Sequence, residues 1–175
     1  MGKSLLALAL VVLVAGGCAP SKTWTSRPAV QAADTDVFRA ELEPLRGDGA
    51  FYDSFRLAVR NKTERTIDLD WNETRYIHDG RELGVFGFKG VPARDQMKEL
   101  KKRPPESIGP EGTLTKVICP WKATAYSPVT HDDVRPGESG FSCGILPKGE
   151  NGISLVIRVD GKEVRQRVTV SIIEE

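Results

Sequence analysis

The feature that most constrains the fold is an alternation of apolar and polar residues that recurs along the chain. In Phe38–Leu42, Phe55–Val59 and Ile67–Trp71, every second residue is apolar, and most of the residues between them are charged. Because successive side chains of a strand point to opposite faces, this pattern predicts antiparallel strands with one buried and one solvated face. It also predicts that Trp71 lies in the core.

Two Asp-Gly pairs predict tight hairpins, because both positions of such a turn tolerate positive φ. The Asp160-Gly161 turn would place apolar residues together on one face and opposite charges on the other, which supports that register. It pairs Ile157 with Val164, Leu155 with Gln166, Ile153 with Val168, and Arg158 with Glu163. The Asp79-Gly80 turn pairs Tyr76 with Leu83 and Thr74 with Val85.

Two further strands are predicted at Leu114–Cys119 and Phe141–Leu146, each followed directly by a proline. In total, about eight short strands are separated by Gly, Pro, Asn and Asp, which is typical of an all-β fold. We therefore expect an immunoglobulin-like antiparallel β-sandwich over residues 36–175.

Residues 91–107 depart from this pattern. Ala93, Met97 and Leu100 recur at helical spacing, which predicts a short helical insertion that is stopped by Pro104-Pro105. Five basic residues would then point outward: Arg94, Lys98, Lys101, Lys102 and Arg103. We expect this face to bind anionic headgroups or an acidic envelope partner, the alternative being a charged segment that only faces water.

The beginning of the chain resembles a bacterial lipoprotein signal peptide. Lys3 is followed by the apolar run Leu5–Ala15, and Gly16-Gly17 precede Cys18. The resemblance implies that residues 1–17 are removed, that Cys18 carries acyl chains, and that residues 18–35 form a flexible tether. Ala19, where enteric lipoproteins of the inner membrane carry Asp, points to the outer membrane facing the periplasm. The alternatives are an ordinary secretory signal or a short membrane anchor and, in place of the tether, a leading edge strand, which the missing apolar alternation disfavours.

A second resemblance covers most of residues 51–172. The runs Phe55–Thr63, Ile67–Asn72 and Leu146–Gly152 are similar to those of an uncharacterised class of bacterial lipoproteins. This resemblance implies a small, exported, β-rich domain in the cell envelope. It implies no catalytic residue and no cofactor.

With Cys18 assigned to lipid, Cys119 and Cys143 remain as an even pair. In an oxidising compartment such a pair predicts a disulfide. Two buried free thiols are the alternative, whereas zinc is disfavoured because the close Cys-x-x-Cys spacing is absent.

Motifs for chemistry are weak. Gly140–Gly144 matches the G-x-S-x-G elbow of hydrolases around Ser142, but both histidines precede that serine, opposite to the order in the hydrolase fold. His131-Asp132-Asp133 lacks a spaced metal-ligand motif, so we expect no metal site. Trp121 is either an exposed binding aromatic or packed beneath a loop.

The charge balance gives no attraction toward nucleic acid. Without Lys3, the 25 basic residues become 24, which equals the number of acidic ones, so the mature chain has no net charge. The sequence therefore favours a membrane-anchored, non-enzymatic binding or assembly module of the cell envelope. The alternative is a hydrolytic or metal-dependent enzyme that uses the loop around His131 and Ser142.

Overall fold

The computed structural model describes residues 23–47, 49–90, 103–126 and 141–175. These residues form fourteen β-strands and one 3₁₀ turn, Trp121–Ala123, and include no α-helix. Within the described ranges, no helix has the length and apolar character needed to span a membrane.

The larger sheet contains seven antiparallel strands. They are β1 (Trp24–Arg27), β5 (Ile67–Leu69), β6 (Arg75–His78), β7 (Arg81–Gly84), β9 (Glu106–Ile108), β13 (Gly149–Val159) and β14 (Lys162–Glu174). The order β1-β14-β13-β5-β9 follows the sheet from edge to edge, and β13 also pairs with β6, which pairs with β7.

The second sheet contains five antiparallel strands in the order β2-β3-β4-β10-β8. They are β2 (Gln31–Asp34), β3 (Phe38–Arg46), β4 (Tyr52–Asn61), β8 (Phe86–Phe88) and β10 (Thr113–Pro120). A separate two-stranded ribbon joins β11 (Ala125–Tyr126) to β12 (Phe141–Ser142).

One hydrophobic core contains apolar residues from both large sheets, as the alternation predicts for a β-sandwich. Phe38, Phe55 and Leu57 come from the five-stranded sheet, and Ile153 and Leu155 come from the seven-stranded one; all are buried. The prediction for Trp71 is confirmed, since the side chain is only 3% exposed. The all-β sandwich class is thus confirmed, whereas its immunoglobulin-like character stays a prediction.

The Asp160-Gly161 hairpin has the predicted register along its whole length. Asp160 and Gly161 adopt φ of 49° and 75°, as the turn requires. The Asp79-Gly80 turn also forms, but the pairing then shifts by one residue, so that Tyr76 faces Gly84 instead of Leu83. The predicted pairs beyond the turn are wrong because a β-bulge interrupts the ladder there.

Three expectations about local structure are wrong. Residues 24–34 of the expected tether contain β1 and β2, which are edge strands held by backbone pairing and so need no apolar alternation. The strand expected at Phe141–Leu146 ends at Ser142, and the Leu146 N–H donates to the Tyr52 carbonyl on the five-stranded sheet instead. Glu106 and Ser107, expected at the end of the insertion, belong to β9. Residues 18–22 and 91–102 lie outside the described residues.

Candidate functional site

The sandwich has two ends with different surfaces. β13 contains 11 residues and therefore extends over about 35 Å. We call the end with the Asp160-Gly161 turn and the turn at residues 61–65 the charged end. We call the opposite end, where β13 begins and where Trp24 and Phe51 lie, the aromatic end.

The charged end carries a groove of about 320 Å³. Its lining consists of charged side chains from β2, β3, β4 and the connections that follow β4 and β9: Asp34, Arg39, Arg60, Lys62 and Glu111. A second, smaller depression of about 230 Å³ shares Arg39 and Arg60 and continues along the outer face of the five-stranded sheet. Together they form one polar surface, which we call the charged groove.

Two arginines define the middle of the charged groove. Arg39 on β3 stands directly opposite Arg60 on β4, and like charges at such a position destabilise a sheet. Carboxylates offset the repulsion: Glu41 and Asp34 lie 2.9 and 3.7 Å from Arg39, and Glu111 lies 2.9 Å from Arg60. The guanidinium groups are thus held side by side by acidic neighbours.

Lys62 closes the groove on the β2 side. Its Nζ donates to Asp34 Oδ1 and to the Thr35 carbonyl, both at 2.6 Å. The hydrogen bond from Lys62 lowers the pKa of the Asp34 carboxyl, and the charges of Lys62 and Arg39 add to this effect. Asp34 is therefore ionised at neutral pH and acts as a fixed negative charge between two cations.

A buried asparagine positions the loops around the charged groove. The Asn61 side chain is fully buried, and its amide donates to the carbonyls of Arg65, Ile108 and Gly109 at 2.6–3.0 Å. Its oxygen accepts from the backbone and the hydroxyl of Thr63. Asn61 thus links the turn that carries Lys62 to the chain that leads to Glu111.

The geometry suits recognition of a ligand that carries charges of both signs. Guanidinium groups present several donors in a fixed plane, and the adjacent carboxylates present acceptors. The part of the chain that the structure describes contains no group of three His, Cys, Asp or Glu side chains arranged to hold a metal ion. Sequence reasoning missed the charged groove because its members are spread from position 34 to 111; the signal would have been the pairing of β3 with β4, which places Arg39 opposite Arg60.

The structure corrects the prediction for Arg103. This residue was expected to point outward, but it is 7% exposed and its guanidinium lies 4.1 Å from the centre of the Phe88 ring. Its Nη1 donates to the Phe86 carbonyl at 3.2 Å, and its backbone N–H donates to Asn72 Oδ1 at 2.8 Å. Arg103 therefore joins β8 of the five-stranded sheet to the turn that follows β5 of the seven-stranded sheet, through a cation–π contact and hydrogen bonds.

The disulfide prediction is confirmed. Cys119, at the end of β10, is bonded to Cys143, just after β12, with 5.9 Å between their Cα atoms. Cys119 is fully buried. The bond joins the five-stranded sheet to the segment that leads into β13.

The remaining predicted site residues are not brought together by the described structure. Cys18, Arg94, Lys98, Lys101, Lys102 and His131 lie outside the described residues. Ser142 ends β12, and Trp121 is half-buried in the 3₁₀ turn, with its backbone N–H donating to the Val85 carbonyl. Comparison with protein-family models, with curated proteins and with solved structures finds no match for this chain.

Proposed function

We propose that this protein is a lipoprotein of the bacterial cell envelope, anchored through acyl chains on Cys18, and that its β-sandwich is a non-enzymatic binding module. The observation that carries the proposal is the agreement between a lipoprotein-like N-terminal segment and a Cys119–Cys143 disulfide in the same chain. Disulfides persist in oxidising compartments such as the periplasm. Two independent features of the chain thus support export.

The charged groove is the proposed binding surface. It lies at the opposite end of β13 from Trp24, which follows Cys18 by six residues. The charged end thus lies about 35 Å from the aromatic end, which is joined to Cys18 by only a few residues. This separation favours a segment of an envelope protein, carrying both acidic and basic side chains, over lipid headgroups of the same membrane.

The anchor is tested by replacing Cys18 with alanine. We expect Cys18→Ala to leave the membrane fraction or to retain residues 1–17, whereas the parent protein carries acyl chains detectable by mass spectrometry of its N-terminal peptide. Ser21→Ala is the control, because it changes a residue close to Cys18 and leaves both the anchor and the disulfide in place. A correctly processed Cys18→Ala protein that stays in the membrane fraction would contradict the proposal.

The charged groove is tested by photo-crosslinking in cells with a crosslinker at position 113, because Thr113 is exposed, lines the groove and carries none of its charges. We expect a defined adduct that disappears when Arg60 is replaced by serine, since Arg60 lines the groove. Arg65→Ser is the matched control, because Arg65 lies at the same end but pairs with Asp160 outside the groove. An adduct that survives Arg60→Ser, or that Arg65→Ser also removes, would argue against the groove as the binding surface.

A further inference from the structure

The aromatic end exposes apolar side chains beside cations. Phe51 and Ile145 are 40% and 54% exposed, and they belong to the few large hydrophobic residues with such exposure among the described residues. Leu146 donates its N–H to the carbonyl of Tyr52, so Ile145 and Phe51 lie on neighbouring segments. This end thus differs from the charged end, whose groove is lined by ionised groups.

Trp24 contacts both the apolar residues and the basic side chains of this end. Its ring packs edge-on against Phe51, with 4.9 Å between the ring centres, and Lys148 Nζ lies 5.6 Å from the Trp24 ring centre. Arg46 donates to the carbonyls of Trp24 and Ala50, and its guanidinium lies 4.8 Å from the centre of the Tyr52 ring. We call Trp24, Arg46, Phe51, Ile145 and Lys148 the aromatic surface.

The fold holds the loop of the aromatic surface in a fixed position. Leu146 is fully buried between the exposed Ile145 and Lys148. The buried Asn151 amide donates to the carbonyls of Pro147 and Gly149 and accepts from the Tyr76 hydroxyl. Burial raises the pKa of Tyr76, and the charge of Asp79 adds to this, so the hydroxyl remains a donor. These contacts fix the conformation of the loop, and this conformation leaves Ile145 and Lys148 exposed.

The length of chain before β1 limits how far the aromatic surface can be from the anchor. Four residues separate Cys18 from Thr23, which is bound through its backbone to Glu175 beside β14. Even when fully extended, the chain from Cys18 to Thr23 spans only about 17 Å. Trp24 follows Thr23 directly, so the aromatic surface is the part of the described domain that stays nearest to acyl chains on Cys18.

Aromatic rings with a polar edge are enriched at the boundary between membrane and water, where basic side chains also extend toward headgroups. We propose that the aromatic surface rests in the interfacial region of the bilayer that holds Cys18. Glu175 pairs with Arg27 and Glu174 pairs with Lys148, so the charges of two of the cations near Trp24 are compensated. Apolar contact is therefore the main attraction, and salt has little effect on it. This inference rests on the proposed lipidation.

The test uses the acylated protein reconstituted into phosphatidylethanolamine–phosphatidylglycerol vesicles that contain phosphatidylcholine brominated near the headgroup end of its chains. We expect bromine to quench part of the tryptophan emission of the parent, and Trp24→Phe to remove most of that quenched fraction. In a Trp121→Phe protein the quenched emission of Trp24 should remain, and Trp71 lies in the core, away from lipid. Raising the salt concentration should not reduce the quenching.

A Trp24→Phe protein that is quenched as strongly as the parent would overturn the inference. Phe51→Ser with Ile145→Ser provides a second arm, because both side chains are exposed and the fold should tolerate the change; Trp24 quenching should then fall without loss of thermal stability. Mass spectrometry of the N-terminal peptide separates the two proposals. An unacylated Cys18 overturns both of them, whereas an acylated protein with unquenched Trp24 overturns this inference alone.

Discussion

The two ends of the sandwich are stabilised in the same way but expose different kinds of side chain. At each end a fully buried asparagine, Asn61 or Asn151, binds the carbonyls of a neighbouring loop. Above Asn61 the loops carry ionised groups, and beside Asn151 they carry exposed Ile145 and Lys148. The buried asparagines thus determine where the loops lie, and the exposed residues on those loops determine what each end can contact.

The largest effect is expected at the aromatic end, from loss of the disulfide. Its cysteines are separated by 24 positions, and closing a loop of that size stabilises a protein by about 3 kcal/mol in the chain-entropy model. We expect Cys119→Ala with Cys143→Ala to lower the free energy of unfolding by about this amount in urea titrations. An unchanged urea midpoint would show that the disulfide does not stabilise the folded protein.

Replacement of the two asparagines by alanine tests whether they act alike. Each change removes donors from buried or partly buried carbonyls, so we expect a loss of about 2 kcal/mol for either variant. The local effects should differ: Asn151→Ala should alter the emission of Trp24, whose neighbour Lys148 lies in the loop that Asn151 holds. Asn61→Ala should leave that emission unchanged. Equal effects of both variants on Trp24 would show that the ends are not independent.

Acid should affect the charged end slightly. The pKa of Asp34 is lower in the folded protein than its ordinary value because of Lys62. Its contribution to stability is therefore present above the unfolded pKa of about 4 and is lost as the pH falls below that value. Because Asp34 is exposed, the effect is small. Asp34→Asn should narrow the difference in melting temperature between pH 7 and pH 3, and an unchanged difference would contradict the assignment.

The sequence predicts those parts of the fold that depend on local chemistry. The Asp160-Gly161 hairpin, the burial of Trp71 and the Cys119–Cys143 bond all follow from turn preferences, alternation or compartment, and the structure confirms them. Edge strands such as β1 were missed because backbone pairing along one side requires no sequence pattern.

The candidate site was harder to predict than the fold. Arg103 belongs to a basic run, which predicts an exposed side chain. Its guanidinium instead packs on the ring of Phe88, a tertiary contact that the run does not indicate. The charged groove likewise depends on the register that sets Arg39 opposite Arg60, and the sequence did not fix which strands pair. The aromatic surface depends on the contact between Trp24 and Phe51, which lie far apart in the sequence and near different sheets. Each feature comes from tertiary contacts that no local pattern encodes.

The most direct test asks which end of the sandwich faces the membrane. It is hydroxyl-radical footprinting of the acylated protein on vesicles, compared with unacylated Cys18→Ala protein in solution. We expect oxidation of Trp24, Phe51 and Ile145 to fall several-fold on vesicles, because lipid excludes water from the aromatic surface. Oxidation of side chains around Lys62 and Arg65 at the charged end should stay unchanged. Protection at the charged end, or equal oxidation of the aromatic surface in both samples, would contradict the account.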